Sequence, residues 1–310
     1  MPGEFKIIER LRKAAGRPSG SLLLGIGDDC AAFRPAPGFE TLATSDMLIE
    51  GVHFRVSQGL GAVGYKSMAA NISDILACGG EPLYALAAVG LPAKGAMRTA
   101  LSLYSGMRKC ADKFGVKIIG GDTVRSDKLV ISITAIGEAA VGKTVTRSGA
   151  KPGDYILVTG DLGNGAAALK QNKAWLPPLR PQLSSKLCGR SLVSSMIDIS
   201  DGLSSELYHL CEESGTGALI YEELVPVSKA ALNLAGGIRR RALSAAFLGG
   251  EDYELLFTVP AECLGTALKL GRKYSKLSVL GRMLPVRQGV KIFCSGKAKV
   301  IPRGGYDAFY

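Results

Sequence analysis

The chain has 310 residues, of which 47% are hydrophobic and 21% are charged, and its formal net charge is +11. This composition excludes a disordered chain and is sufficient for one large or two medium domains, each with its own core. No apolar run approaches the roughly 18 residues that a membrane span needs, and the N-terminus lacks the basic and apolar regions of a secretory signal. We therefore expect no membrane partner.

The positive charge favours anionic partners, which include phosphorylated ligands and nucleic acid. The basic residues are spread along the chain, however, and the densest run, Arg239-Arg240-Arg241, is not accompanied by a nucleic-acid-binding motif. The seven cysteines include no C-x-x-C pair. This usage predicts buried free thiols in a reducing, cytoplasmic protein rather than disulfides or a metal ribbon.

Helical spacing of apolar residues over 4–15 predicts an amphipathic helix at the start of the chain. Beyond it, apolar runs bounded by glycine and proline predict mixed strands and helices. In the first half we expect strands at 41–49, 83–91, 116–120 and 129–137, and helices at 61–78 and 95–114.

The polar stretch from Ser148 to Asp154 is the best candidate for a domain boundary. We therefore predict an N-terminal domain over 1–148 and a C-terminal domain over 149–310. In the second half we expect strands at 155–160, 196–200 and 253–259, and helices at 164–171, 202–213 and 261–274. Because strands and helices do not alternate regularly, the pattern favours two α+β domains over a doubly wound sheet.

Aspartates recur beside Gly, Ser or Thr where apolar strand-like runs end. The set comprises Asp28, Asp29, Asp46, Asp122, Asp198 and Asp201, with Asp74 on a helix. Carboxylates gathered in one cleft raise each other's pKa, and cations make such a cluster tolerable. Oxygen ligands without neighbouring His or Cys indicate Mg²⁺. Each aspartate could instead form a turn or cap a helix, as Asp201 could for the helix at 202–213.

The common nucleotide-binding signatures are absent. There is no G-x-x-x-x-G-K-[ST] loop, and the H-R-D and D-F-G motifs are missing. The glycine-rich run at 160–166 follows a strand, but its glycine spacing differs from G-x-G-x-x-G, so we interpret it as a tight turn. The two histidines, His53 and His209, do not lie in a context typical of Ser–His–Asp hydrolysis.

Eight sequence blocks in fixed order resemble the thiamine-monophosphate kinase family over nearly the whole chain. The blocks are GIGDDCA (25–31), TSDMLIEGVHF (44–54), YKSMAANISDILACGGEP (65–82), IGGDT (119–123), TRSGAKPGD (146–154), IDISDGLSSEL (197–207), GGEDYELLF (249–257) and GYDAF (305–309). The wider superfamily includes aminoimidazole-ribonucleotide synthetase. The resemblance implies that superfamily's two-domain α+β fold, with the N-terminal half forming the homodimer and the metal–ATP site, and the C-terminal domain completing the substrate site.

The resemblance also implies ATP-dependent phosphorylation of thiamine monophosphate to thiamine diphosphate by direct in-line transfer, with several Mg²⁺ ions and ATP as co-substrate. The implied metal ligands are Asp29, Thr44, Ser45, Asp46, Asp74, Asp122, Asp198 and Asp201. The implied ATP contacts are Tyr104, Gly121, Asp122, Arg147 and Ser200, and the implied thiamine monophosphate contacts are His53, Glu251 and Tyr306. Asp46, Asp122 and Arg147 would be the catalytic residues.

Several alternatives remain at this stage. Tyr104 and Tyr306 could merely pack, and Arg147 could be a surface residue. The sequence departs from the family pattern at Ser45, Lys143 and Ala308. An aminoimidazole-ribonucleotide synthetase-like enzyme is the alternative within the superfamily, because the cysteine signatures of selenophosphate synthetase and of the hydrogenase-maturation protein are missing. A basic nucleic-acid-binding protein is the remote alternative, and it would not need the aspartates.

Overall fold

The computed structural model describes residues 10, 11, 13, 14, 20, 22–24 and 32–306. Of the helix expected over 4–15, only Arg10, Leu11, Lys13 and Ala14 lie within this part of the chain, and all four are helical. The chain divides into two compact units. Unit 1 comprises Met1–Ile75, Glu81–Val141 and Asn172–Leu176, and unit 2 comprises Leu76–Gly80, Gly142–Gln171 and Pro177–Tyr310.

In its described residues, unit 1 contains a four-stranded sheet, a small two-stranded sheet and two long helices. Its elements are β1 (Leu22–Leu24), β2 (Ala32–Phe33), β3 (Phe39–Ile49), α1 (Leu60–Ala77, whose last two residues belong to unit 2), β4 (Glu81–Leu91), α2 (Ala96–Phe114), β5 (Lys117–Arg125) and β6 (Val130–Ala140). β1 pairs with β2, and the larger sheet has the order β3-β6-β4-β5, in which only β4 and β5 are parallel. β5 extends to Arg125, five residues beyond the end of the strand expected at 116–120.

The two faces of this sheet differ in burial. On β6, Ile131, Ile133 and Ala135 are buried, whereas the alternating residues Ser132 and Thr134 are only half-buried. α1 covers the buried face, since a Cβ added to Gly137 of β6 would lie 2.6 Å from Cγ2 of Ile75. The opposite face, defined by its row through Ser132 and Thr134, is called the open face below.

Unit 2 is built on a mixed, mostly antiparallel seven-stranded sheet. Its elements are β7 (Tyr155–Thr159), α3 (Asn164–Lys170), α4 (Pro181–Gly189), β8 (Ser195–Asp198), α5 (Leu203–Ser214), β9 (Thr216–Tyr221), α6 (Lys229–Leu234), α7 (Arg239–Leu248), β10 (Leu255–Val259), α8 (Leu264–Gly271), β11 (Leu277–Pro285), β12 (Val290–Cys294) and β13 (Lys297–Val300). The strand order is β13-β12-β9-β11-β7-β10-β8.

Helices cover both faces of the central strands of unit 2. On β7, Ile156 and Val158 belong to a core that includes α5, whereas Leu157 belongs to a second core that includes α4. Burial on both faces explains why these strands read as continuous apolar runs rather than as alternating patterns.

Both units mix strands and helices, which agrees with the α+β prediction. The helix expected at 261–274 is confirmed only over Leu264–Gly271, because Ala261–Cys263 forms a 3₁₀ turn and the helix ends three residues early. The strand expected at 253–259 begins only at Leu255. No helix among the described residues is long and apolar enough to cross a bilayer.

The contact between α1 and α2 depends on glycine and gives a stability prediction. A Cβ added at Gly64 would lie 2.1 Å from the carbonyl oxygen of Leu103, whereas one added at Gly61 would come no closer than 3.9 Å to Ser102. We expect Gly64→Ala to lower the free energy of unfolding by about 1–3 kcal/mol through overpacking. Gly61→Ala should be neutral or slightly stabilising, because alanine favours helix. Urea unfolding of both variants checks this, and equal losses would contradict the close helix contact.

Candidate active site

Thr44 and Asp74 meet between β3 and α1. Thr44 Oγ1 donates a hydrogen bond to Asp74 Oδ2 at 2.7 Å. Two residues further along β3, the backbone N–H of Asp46 donates to Oδ1 of Asn71 at 3.0 Å, and Asn71 is itself fully buried and fixed by a bond to the Ser67 carbonyl. α1 thus fixes two predicted metal ligands of β3, Thr44 and Asp46, beside Asp74, a predicted ligand on α1 itself.

Ser45 and Asp122 lie on the other side of the same sheet. Ser45 Oγ is 3.1 Å from Thr134 Oγ1, which belongs to the open face. The register places Asp122 opposite Ala88, and Ala88 opposite Ser132, so Asp122 shares that face. Within unit 1, the structure therefore does not bring Asp122 together with Asp46 and Asp74.

Asp122 borders a cavity of about 1210 Å³ whose lining includes Arg98, Ser102 and Arg125. Its carboxylate accepts a hydrogen bond from the N–H of Thr123 at 2.8 Å. The preceding residue must be glycine, because a Cβ at Gly121 would lie 1.9 Å from the Ala87 carbonyl oxygen. The cavity thus offers an exposed carboxylate and two guanidinium groups at the edge of the sheet.

Tyr104 and His53, the predicted substrate contacts of unit 1, are held in different ways, Tyr104 by packing and His53 by hydrogen bonds. Tyr104 is buried on α2, and this burial raises the pKa of its phenol. His53 Nδ1 accepts a hydrogen bond from the N–H of Ile49 at 3.0 Å, and Lys66 donates to the His53 carbonyl at 2.7 Å. The bond to Nδ1 leaves Nε2 as the protonated nitrogen of neutral His53.

In unit 2, four predicted site residues converge on the turn between β8 and α5. The backbone N–H of Glu251 donates to the Ser200 carbonyl at 2.7 Å, and the N–H of Tyr306 donates to the Asp201 carbonyl at 3.0 Å. Residues that are 105 positions apart in the sequence are thus joined at one turn, which we call the Ser200–Asp201 turn. Asp198 is buried at the end of β8, just before it.

Glu206 supports this turn from the first turn of α5. Its Oε1 accepts hydrogen bonds from the Asp201 N–H at 3.0 Å and from Ser200 Oγ at 3.4 Å. Its side chain is buried, and among the described residues its Oε2 has no hydrogen-bond partner. Burial raises the pKa of Glu206 to about 8, and the neighbouring charges of Asp201 and Asp198 act in the same direction. α5 begins after Gly202 without a side-chain cap, so Asp201 does not cap it.

Arg147 lies at the opposite end of α5. Its carbonyl accepts a hydrogen bond from Ser214 Oγ at 3.2 Å, and Ser214 is the last residue of that helix. Unit 2 therefore does not bring the backbone of Arg147 to the Ser200–Asp201 turn, and the ATP contact assigned to it stays a prediction.

The backbone N–H groups of the glycine-rich run at 160–166 bind a carboxyl group of the same unit. Asp252 Oδ2 accepts from the N–H of Gly163 at 2.6 Å, and Asp252 Oδ1 accepts from the N–H of Gly165 at 3.0 Å. Gly163 adopts a left-handed conformation just before α3. The run is thus a turn whose N–H groups bind a side chain of the same unit, which agrees with the interpretation from sequence.

The donor set fits magnesium in kind. Thr44, Asp46 and Asp74 offer hydroxyl and carboxylate oxygens, which are the ligands that Mg²⁺ prefers. No group of three or more His, Cys, Asp and Glu side chains that could hold a metal ion occurs in the part of the chain that the structure describes. Asp29, another predicted ligand, lies outside the described residues. The metal roles of these residues stay predictions.

Sequence reasoning missed two residues that organise the site, Glu206 and Asp252. Both are acidic and buried, and both accept hydrogen bonds from backbone N–H groups. The sequence signal for them is weak, because each is one of three acids in its motif, IDISDGLSSEL for Glu206 and GGEDYELLF for Asp252.

Comparison with known proteins identifies the class. Residues 27–139 match the AIR synthase related protein N-terminal domain, and residues 151–292 match the corresponding C-terminal domain. The thiamine-monophosphate kinase of Escherichia coli (strain K12) is 34% identical over 326 residues, covering 99% of this chain and 98% of the relative. That of Bacillus subtilis (strain 168) is 35% identical over 281 residues, covering 84% of each.

Solved structures give the same result. The thiamine-monophosphate kinase of Stenotrophomonas maltophilia K279a superposes with a TM-score of 0.84 at 32% identity, covering 96% of this chain and 98% of that one. AaThiL complexed with AMPPCP and TMP has a TM-score of 0.76 at 28% identity, covering 99% and 97%. Fold and matches together define a two-domain protein of the AIR synthase related class. Within that class, the chain belongs to the thiamine-monophosphate kinase family, which confirms the resemblance seen in the sequence.

The buried Asp252 gives a pH prediction. Burial raises its pKa from 3.8 to about 7, against the lowering effect of the Gly163 and Gly165 N–H groups, and the charge of Glu254 adds to the rise. The folded state therefore holds the proton more tightly than the unfolded state, so this contribution to stability is complete below about pH 4 and is lost as the pH rises through about 7. We expect Asp252→Asn to destabilise more at pH 5 than at pH 8 in urea unfolding. A larger effect at pH 8 would contradict the raised pKa.

Proposed function

We propose that this chain catalyses the Mg²⁺-dependent transfer of the γ-phosphoryl group of ATP to thiamine monophosphate, giving thiamine diphosphate and ADP by direct in-line displacement. The observation that carries the proposal is the convergence of Glu251 and Tyr306 with Ser200 and Asp201 on one turn. Family membership over nearly the whole chain supports it. The AaThiL complex with TMP and AMPPCP, an ATP analogue, supports both substrates.

The acceptor needs no general base. A phosphate monoester has a second pKa of about 6, so at neutral pH it is mostly a dianion and already a nucleophile. The chain's work is therefore to position two polyanions and to offset their repulsion. Two unit charges about 4 Å apart repel by about 4 kcal/mol at an effective dielectric near 20, so this repulsion opposes the approach of the two polyanions.

We propose that the carboxylates offset this repulsion by holding cations. Together with two hydroxyl residues, they form the ligand set implied by the resemblance: Asp29, Thr44, Ser45, Asp46, Asp74, Asp122, Asp198 and Asp201. When bound, Mg²⁺ supplies charge neutralisation on the phosphates. The hydrogen bond from Thr44 keeps Asp74 oriented, and Asn71 and Glu206 fix the backbones of Asp46 and Asp201 before substrate arrives.

The remaining roles follow the same assignment. Arg147 would contribute a cationic contact to the ATP phosphates, with Tyr104, Gly121 and Ser200 as further contacts. Glu251 would face the cationic thiazolium ring of the acceptor, and His53 and Tyr306 would complete that pocket. Asp46 and Asp122 would be the catalytic carboxylates.

A homodimer is proposed to form through unit 1. The open face of its sheet carries exposed apolar side chains on both edge strands, with Met47 55% exposed on β3 and Val124 53% exposed on β5. A second copy of the chain covering this face would bury them and would enclose Asp122.

The proposed location is the cytoplasm, since the cysteines described are free thiols.

Product analysis tests the function. Purified protein is incubated with ATP, Mg²⁺ and thiamine monophosphate, with thiamine and an aminoimidazole-ribonucleotide precursor as parallel acceptors. We expect thiamine diphosphate from the monophosphate alone, and its loss when EDTA removes the metal. Turnover only of the ribonucleotide precursor would instead place the chain with the aminoimidazole-ribonucleotide synthetase-like alternative.

A further inference from the structure

The segment that carries Glu251 has an unusual backbone. Glu251 and Tyr253 both have left-handed conformations, with φ of 66° and 53°. Such a conformation costs a residue with a side chain roughly 1–2 kcal/mol. Two of them flanking a single residue persist only where other contacts fix the segment.

Asp252 lies between the two left-handed residues and provides such contacts. Its side chain is fully buried, and its two carboxyl oxygens accept from the N–H groups of Gly163 and Gly165. These bonds hold the segment against the N-terminus of α3, where Gly163 precedes the helix and Gly165 lies in its first turn. The close approach of the backbones is visible at Gly165, where a Cβ would lie 2.4 Å from the Glu251 carbonyl oxygen.

On its other side, the segment is bonded to the Ser200–Asp201 region. The N–H of Glu251 donates to the Ser200 carbonyl at 2.7 Å, and the N–H of Tyr253 donates to the Ile199 carbonyl at 2.9 Å. The side chain of Asp252 therefore contacts the N-terminus of α3, whereas the backbones of Glu251 and Tyr253 on either side of it contact residues 199 and 200. Moving Asp252 would rotate the backbone from which the Glu251 side chain projects.

We propose that Asp252 is a positioning residue that fixes the left-handed conformation of Glu251 and so directs the Glu251 carboxylate toward the cationic part of the acceptor. This inference rests on the proposed function and extends it, because it assigns a task to a buried acid and to the glycine-rich turn at 160–166. A loss of about 1 Å in placement can cost on the order of 100-fold in rate, so a positioning residue is expected to have a measurable kinetic effect.

A double-mutant cycle tests the proposal. In the wild-type background, Asp252→Asn should raise the KM for thiamine monophosphate at least about tenfold and change the KM for ATP less than about twofold. In the Glu251→Ala background, the same substitution should change the KM for thiamine monophosphate less than about twofold, because its effect passes through Glu251. Additive effects, or equal rises for both substrates, would overturn the proposal.

Asp154→Asn provides the matched control. Asp154 is another buried aspartate of unit 2, and its Oδ2 accepts from the Lys151 N–H at 3.0 Å and from Ser194 Oγ at 2.6 Å. Its loss should lower stability without raising the KM for thiamine monophosphate. A rise equal to that of Asp252→Asn would show that destabilisation alone causes the effect.

A structural measurement keeps the inference separate from the proposed function. If wild-type protein shows no turnover of thiamine monophosphate, the function fails, and crystal structures of the wild type and Asp252→Asn are then compared. A positive φ at Glu251 in the wild type that is lost in the variant would support the positioning role. An unchanged Glu251 backbone in the variant would overturn it.

Discussion

Burying a carboxyl group costs free energy unless hydrogen-bond donors reach it, and this constraint shapes the candidate site in unit 2. Glu206 and Asp252 are both buried, and both find donors in the backbone of turns rather than in basic side chains. Each acid thereby orders a turn. Glu206 orders the turn that carries Ser200 and Asp201, and Asp252 orders the segment that carries Glu251.

The two ordered turns are joined to each other by the bond from the Glu251 N–H to the Ser200 carbonyl. This linkage joins the segment that carries Glu251, assigned to the acceptor, to the turn that carries Ser200, assigned to the phosphate donor, by a backbone hydrogen bond. In-line transfer between two dianionic groups depends on placement more than on proton transfer, and a rigid backbone supplies placement without a rearrangement at the moment of reaction. In unit 1, neutral side chains fix predicted site residues in a similar way. Asn71 binds the backbone of Asp46, and Thr44 orients the carboxylate of Asp74.

Much of the fold could be predicted from the sequence because its signals are local. The long apolar runs of β3, β4 and β6 identify these strands, and the α+β class followed from the irregular order of strands and helices along the chain. The missed elements include β9 and β11 to β13. Their apolar runs are short, and their place in the sheet is set by pairing with strands far away in the sequence.

The site was predictable only in part, for a similar reason. The motifs identified Ser200, Asp201, Glu251 and Tyr306, but no periodicity reports that two left-handed residues flank Asp252 or that Glu206 accepts from the Asp201 N–H. These features depend on contacts between segments that are distant in the sequence. The expected gathering of the aspartates is also not visible in unit 1, where the sheet separates Asp122 from Asp46. The identity of a residue does not tell on which face of the sheet its side chain lies.

The most direct test of a turn shared by both substrates is to measure the kinetic constants of Asp201→Asn for ATP and for thiamine monophosphate. This substitution keeps the backbone N–H that Glu206 binds and removes only the carboxylate charge. If one turn serves the donor and the acceptor, kcat/KM should fall at least about tenfold for both substrates while the unfolding midpoint stays unchanged. A fall for one substrate alone, or no fall for either, would contradict the shared turn.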